Sequence, residues 1–93
     1  MDPALYKVTH ADGADVYAQS SRGWPAPALG IVRRVETGKL ILCQDRQSYL
    51  FEGNSDLTCL LHGPDGWIRE DCMEKVVELK KENDGQWQPK TIE

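Results

Sequence analysis

PDGWIREDCMEKVVEL, residues 64–79, joins a tight turn, an aromatic residue, one acidic turn and an apolar run without a break. Asp65-Gly66 favours a bend, because glycine accepts backbone conformations that other residues avoid. Residues 69–73 are compatible with one helical turn, and the β-branched pair Val76-Val77 favours a strand over a longer helix. We interpret the stretch as the closing corner of a small β-structure, in which Trp67 covers an open end and Val76-Val77 pairs as the closing strand.

The composition indicates one globular domain. The chain has 93 residues, of which 40% are hydrophobic and 28% are charged, and it is too short for two domains. No apolar run approaches the ~20 residues that a membrane span requires. The first residues, MDPALYKV, lack the basic start and apolar centre of a secretory signal. We therefore expect a cytoplasmic or otherwise intracellular protein without a membrane span.

Charge and cysteine content restrict the class of partner and the compartment. The net charge is −4 and the 11 Lys and Arg residues are scattered, whereas a nucleic-acid-binding domain usually carries a basic stripe. We expect no nucleic acid partner and favour a neutral or basic peptide. Three cysteines without paired spacing fit a reducing compartment, although one disulfide bridge plus one free thiol is also compatible with the sequence.

Turn-forming residues recur at short intervals, with runs rich in Val, Ile, Leu and aromatic residues between them. This rhythm predicts an all-β domain with antiparallel strands. We place strands at residues 6–10, 15–18, 30–35, 39–44, 49–52, 57–61 and 76–79. The predicted fold is a small barrel of five to seven short antiparallel strands, with one short helical turn before the last strand. Residues 1–79 form the barrel, and residues 80–93 form a polar C-terminal tail or a short hairpin turning at Asp84-Gly85.

Two connections between strands have distinctive sequences. QSSRGWPAP, residues 19–27, holds two prolines and a glycine, which prevent regular ladder hydrogen bonding and predict a long loop. Residues 49–61 are predicted to form a hairpin whose turn uses Gly53-Asn54, because both residues accept positive φ at low cost.

Cysteine and histidine side chains raise the question of catalysis and metal binding. A nucleophilic cysteine needs a neighbouring base and an electropositive setting, whereas Cys43 and Cys59 lie in apolar strands. A zinc site usually has paired ligand spacings, which this chain lacks. We expect no catalytic residue, no metal and no cofactor. An enzyme or metal-binding protein that uses His10, His62 and the cysteines stays open as an alternative, as does a structural subunit that docks through Trp87.

The order of motifs resembles the bacterial-type Src-homology-3-like domain. VTHADGADVYAQSS (residues 8–21) has an Asp-Gly turn followed by an inward hydrophobe, Val16. PALGIVRRVETGKLILC (residues 27–43) and CLLHGPDGWIREDCMEKV (residues 59–76) supply two apolar strands around a glycine turn and a closing Gly-Trp-Ile corner. The resemblance implies a small barrel that acts as an interaction module. The Trp-Trp pair and the acidic loop of the peptide-binding eukaryotic relatives are absent, so it does not imply their proline-rich ligands.

The predicted function is that of a non-catalytic adaptor or scaffold module that binds a peptide or protein partner through loop aromatics. In a small barrel, aromatic side chains on loops beside a groove are the first groups that a peptide meets. The predicted anchors are Tyr17, Trp24 and Tyr49. The predicted acidic rim consists of Asp12, Asp15, Glu70 and Asp71. The alternative for Trp24 is a plug that folds over its own loop.

Overall fold

The computed structural model describes residues 2–81 and 87–91, and these residues form an all-β domain with antiparallel strands, as predicted. Nine strands and two short 3-10 helices occur within the described ranges. The strands are β1 (Ala4–Val8), β2 (Ala14–Tyr17), β3 (Ile31–Val35), β4 (Leu40–Cys43), β5 (Arg46–Tyr49), β6 (Thr58–His62), β7 (Trp67–Arg69), β8 (Met73–Lys81) and β9 (Trp87–Thr91). The 3-10 helices are Pro27–Leu29 and Glu70–Cys72.

The strands form two sheets, and the sheets are not closed into the predicted barrel. Sheet I has the order β4-β1-β8-β9, and sheet II has the order β3-β2-β7-β6-β5. The chain leaves sheet II after β3 and enters sheet I at β4, so these consecutive strands do not pair with each other. The connection is fixed at this corner, because the Gly38 N–H donates to the Val8 carbonyl at 2.8 Å and the Thr37 hydroxyl donates to the His10 carbonyl.

One apolar core fills the space between the two sheets. Alternate residues of a strand point to the same face, so each sheet contributes every second side chain. Val16, the expected inward hydrophobe, is fully buried. The buried cluster consists of Ala4, Tyr6, Val8, Ala14, Val16, Val35, Ile41, Cys43, Leu61, Ile68 and Met73.

The closing corner of residues 64–79 forms largely as predicted. Trp67 and Ile68 are buried in β7, the 3-10 helix Glu70–Cys72 follows directly, and β8 then pairs antiparallel with β1. Leu5 lies opposite Val77 in that ladder. β8 is longer than the predicted strand at 76–79, and Trp67 lies outside the cluster between the sheets rather than over a barrel end.

The predicted hairpin at residues 49–61 is present with a shifted first strand. β5 ends at Tyr49 instead of beginning there, and Tyr49 pairs with Thr58. The Asn54 N–H donates to the Phe51 carbonyl at 3.1 Å, so the turn is centred on Glu52-Gly53, one residue earlier than predicted, within a longer loop, residues 50–57. Gly53 has a positive φ, but Asn54 does not. The shift has a packing reason: Phe51 leaves the ladder and joins the aromatic side chains of sheet II.

At the C-terminal end, β9 pairs antiparallel with β8, and Lys81 lies opposite Trp87. The predicted turn at Asp84-Gly85 lies outside the described residues. None of the helices in the described ranges has the length and apolar character needed to cross a membrane.

Candidate functional site

The outer face of sheet II carries most of the chemically distinctive side chains. Strand register places Tyr17 beside Trp67 and Trp67 beside His62 in one row across the sheet. In the next row Arg69 lies beside Leu60. Residues opposite each other in an antiparallel ladder share a face, so these five side chains lie on the side of sheet II that points away from the core.

An aromatic ridge crosses this face. We give that name to Tyr17, Phe51 and Tyr49: the Phe51 ring centroid lies 5.3 Å from that of Tyr17 and 5.0 Å from that of Tyr49. These separations are typical of favourable aromatic pairs. Leu60, on the same face of sheet II, is fully buried although it is not part of the main core. The three ridge side chains are themselves half-buried.

The loop at residues 18–30 presents Trp24 to solvent. The Trp67 indole N–H donates to the Gly23 carbonyl at 2.9 Å, and the Trp24 N–H donates to Ser20 Oγ at 3.2 Å. Trp67 is only 2% exposed and stacks on His62 at 4.5 Å, whereas the Trp24 side chain is 55% exposed. The buried tryptophan thus fixes the loop. Trp24 is not a plug over its own loop.

Beside Trp24 lies a hollow of about 230 Å³, the Trp24 hollow, which combines aromatic and polar walls. Its lining residues are Arg22, Gly23, Trp24, Asp45, Gln47, His62 and Trp67. The His62 ring nitrogen Nε2 lies 2.7 Å from Gln19 Oε1, so the histidine is fixed by the loop on one side and by Trp67 on the other.

Three of the four acidic residues of the predicted rim are engaged in ion pairs. Asp15 accepts a hydrogen bond from Arg34 Nε at 3.0 Å. Glu70 accepts two bonds from Arg46, both at 3.0 Å. Asp71 accepts two from Arg69, at 3.1 and 2.7 Å, and these bonds lower the pKa of the Asp71 carboxyl. The carboxylates are therefore fixed in position, and their charge is partly compensated.

Two hollows adjoin at Arg69 and together form what we call the acidic groove. One hollow, of about 240 Å³, is lined by Asp12, Asp15 and Tyr17 among others. The other, of about 640 Å³, is lined by residues 54–59 and 69–71. Five carboxylates and two guanidinium groups line the pair, a formal balance of −3. Within residues 2–79, Asp12 and Asp56 form no ion pair.

Six of the seven predicted site residues thus lie on or beside the outer face of sheet II, whereas Glu70 is bonded to Arg46, which lies opposite the core residue Leu61. Tyr17 and Tyr49 belong to the ridge, Trp24 lies above the neighbouring hollow, and the four acidic residues border the acidic groove. Phe51, which joins the two tyrosines, was not among the predicted site residues. The sequence contains a signal for Phe51: it lies two residues after Tyr49, and alternate residues of an extended segment point to the same face.

Burial weakens the nucleophilic character of two of the three thiols. It raises the pKa of Cys43 to about 12 and also raises the pKa of Cys72, which donates a hydrogen bond to Asp71. An activated cysteine needs the opposite shift. In the described part of the chain, no group of three or more His, Cys, Asp or Glu side chains is arranged to hold a metal ion.

We expect a thiol reagent at pH 8 to modify Cys59 and Cys72 in the folded protein and to leave Cys43 unmodified. A thiol with a pKa of about 12 is ionised in roughly one molecule in ten thousand at that pH, and Cys43 is also fully buried. Peptide mapping after brief labelling measures this order, and labelling in denaturant provides the control with all three sites modified. Rapid modification of Cys43 in the folded protein would contradict the described packing.

No family model, no curated protein and no solved structure matches this chain.

Proposed function

We propose that this domain is a non-catalytic interaction module that binds an extended, neutral or basic segment of a peptide or protein partner across the outer face of sheet II. The observation that carries the proposal is the adjacency of the aromatic ridge and the acidic groove, since Tyr17 belongs to the ridge and also lines the groove. A partner that lies across this boundary would contact both surfaces at once.

Aromatic side chains support the proposal because they bind at low entropic cost. Tyr17, Phe51 and Tyr49 are half-buried and hold one another in place, so little side-chain freedom would be lost on binding. Trp24 adds a large exposed surface on a loop that is fixed to Trp67. Tyrosine and tryptophan are among the residues that most often dominate binding energy at interfaces.

The charge of the groove supports a basic or neutral partner. Arginine partners hold Asp15, Glu70 and Asp71 in defined positions, and Asp12 and Asp56 add negative charge that no arginine of residues 2–79 compensates. Such a field favours cationic groups and speeds their encounter at low salt. Lysine or arginine side chains of the partner are the groups that we expect to enter the groove.

We further propose that the chain is a divergent Src-homology-3-like domain. The motif order of residues 6–79 supports this, and so does the closing corner, in which a Gly-Trp-Ile strand, a 3-10 helix and a strand paired with β1 follow one another. The open arrangement of the two sheets is a departure from the closed barrel that the resemblance implies. An adaptor or scaffold role fits both the motif order and the open arrangement of the two sheets.

Replacing Trp24 with alanine is expected to weaken partner binding about tenfold to thirtyfold while leaving the fold intact, because this exposed side chain contributes contact surface rather than core packing. The probe is a library of lysine-rich peptides, and the readout is the change in backbone amide shifts. Leu29→Ala is the matched control, since Leu29 is 71% exposed but lies outside the ridge and the groove.

The same titration with a glutamate-rich library tests the charge preference. We expect binding of the lysine-rich library to weaken as salt rises, because exposed charges are screened. Amide shifts confined to residues outside the ridge and the acidic groove, or equal binding of both libraries, would refute the proposed function.

A further inference from the structure

His10 lines one of the two hollows that form the acidic groove. It follows β1 by two residues, and its backbone N–H donates to the Cys72 carbonyl at 3.2 Å. Its side chain shares the hollow with Asp12, Asp15 and Tyr17. An imidazole ring therefore stands on the surface that we propose for binding a basic partner.

A backbone hydrogen bond determines where the neutral His10 ring carries its hydrogen. The Asp12 N–H donates to His10 Nδ1 at 3.1 Å, so this nitrogen presents a lone pair and the ring hydrogen is on Nε2. A second proton would have to bind at Nδ1, where it would meet the Asp12 N–H. Protonation of the ring therefore breaks this bond and places a positive charge in the turn at residues 10–13, which the Gly13 N–H closes on the His10 carbonyl at 3.0 Å.

Asp12 is the carboxylate that this positive charge would compensate. The other carboxylates that border the hollow already have arginine partners, since Arg34 is paired with Asp15 and Arg69 with Asp71. Asp12 forms no ion pair within residues 2–79. The uncompensated charge at the hollow is therefore −1 with a neutral ring, and the added proton brings it to −1 + 1 = 0.

The imidazole is the side chain in this hollow that ordinarily changes its charge between pH 7.5 and about pH 5.5. Carboxyl groups titrate at lower pH, and arginine keeps its charge. Burial raises the pKa of Tyr17 and of Cys72, so both stay neutral. The groups that face the ring are Asp12, Asp15 and Tyr17 from its own turn and β2, Arg34 from β3, Arg69 from β7, and Asp71 and Cys72 from the 3-10 helix. Glu36 and Lys39, in the connection to β4, line a different hollow.

A charge on His10 acts on the groove beyond Asp12. Hydrogen bonds from Arg69 are the main cause of the lowered pKa of the Asp71 carboxyl, and a positive charge on His10 lowers that pKa as well. His10 is exposed, so such interactions are screened by solvent and salt. The expected influence on a bound cation is a factor of a few in affinity.

We propose that His10 is a pH-sensitive switch of the acidic groove: the groove binds a basic segment while the ring is neutral, and protonation of the ring weakens that binding. This proposal rests on the proposed function and adds its regulation. The proton compensates the charge of Asp12, which would otherwise attract a lysine side chain, and it releases the Asp12 N–H from its acceptor. By reciprocity, a bound basic segment opposes protonation of the ring.

Titration with the lysine-rich library at pH 7.5 and at about pH 5.5, both at low salt, tests the switch. Affinity for the wild-type protein should fall about threefold to fivefold at the lower pH, as expected for an exposed charge. His10→Asn keeps an acceptor for the Asp12 N–H and takes up no proton, so its affinity should be equal at the two pH values. His10→Lys carries a permanent charge and should bind weakly at both. His62→Gln removes the other histidine of the chain and should keep the wild-type ratio.

The backbone amide shift of Asp12 tests the switch without a partner. It should change between the two pH values in the wild-type protein and stay constant in His10→Asn. Identical shifts in both proteins, or the same loss of affinity in both, would overturn the switch. Equal affinity of the wild-type protein at both pH values would also overturn it and would leave the proposed function standing. Failure of the library to bind at pH 7.5 would refute the proposed function and the switch together.

Discussion

Trp67→Ala is expected to lower the free energy of unfolding by about 3–5 kcal/mol, the range found when a large buried aromatic side chain is truncated. Trp67 is 2% exposed, stacks on His62 and donates to the Gly23 carbonyl, so its loss leaves a cavity and an unmatched acceptor together. Chemical denaturation measures the effect as a shift of the midpoint at constant slope. A loss of less than about 1 kcal/mol would contradict the role assigned to this side chain.

Trp67→Phe is the control that separates packing from hydrogen bonding. It keeps an aromatic ring against His62 and removes the indole N–H, so the expected loss is about 1 kcal/mol. The loop that carries Trp24 should nevertheless become more mobile, since its bond to Trp67 through Gly23 is lost. Faster amide exchange in residues 19–24 of this variant, beyond what the loss of about 1 kcal/mol in global stability accounts for, is the result that we expect.

Gly66→Ala is expected to cost about 3 kcal/mol, at the upper end of the usual range for overpacking. An alanine Cβ at this position would collide with the Tyr17 carbonyl oxygen and would lie 2.7 Å from Val16 Cγ1. Relief requires movement of β2 away from β7, where Tyr17 pairs with Trp67. The melting temperature should fall by roughly 12–24 °C, given the usual dependence for domains of this size.

Gly38→Ala is the matched control for Gly66→Ala. Gly38 has a φ of +91°, but no atom lies within 4 Å of the position that a Cβ would take. The expected cost is therefore only the backbone strain, about 1 kcal/mol. Equal destabilisation by both substitutions would show that the close approach of β2 and β7 at Gly66 is not a tight contact.

Local sequence patterns predicted the closing corner because the physical cause is local. A bend at Asp65-Gly66, one acidic turn and a β-branched pair all act within a few residues of one another. The structure places a 3-10 helix and a long strand at that point of the chain. The strand boundaries near Tyr49 were less predictable, because β5 ends where Phe51 leaves the ladder for a contact with Tyr17, distant in sequence.

Two features could not be predicted from the sequence: whether the sheets close into a barrel, and which ion pairs the acidic residues form. Whether β3 pairs with β4 depends on the corner fixed by Thr37 and Gly38, which bond to residues almost thirty positions earlier. Asp71 was recognised as a surface carboxylate, but its bidentate bond to Arg69 depends on rotamers that no sequence pattern specifies. The same holds for Glu70, whose partner Arg46 belongs to another strand.

The position of β1 makes the completion of sheet I a slow step of folding. β1 lies between β4 and β8, and its partners in β8 are 65 to 74 positions later in the sequence. Tyr6 and Val8 cannot be enclosed on the β8 side until these distant segments meet. Pairing across such a separation is slow, and a strand that waits uncovered is prone to wrong associations.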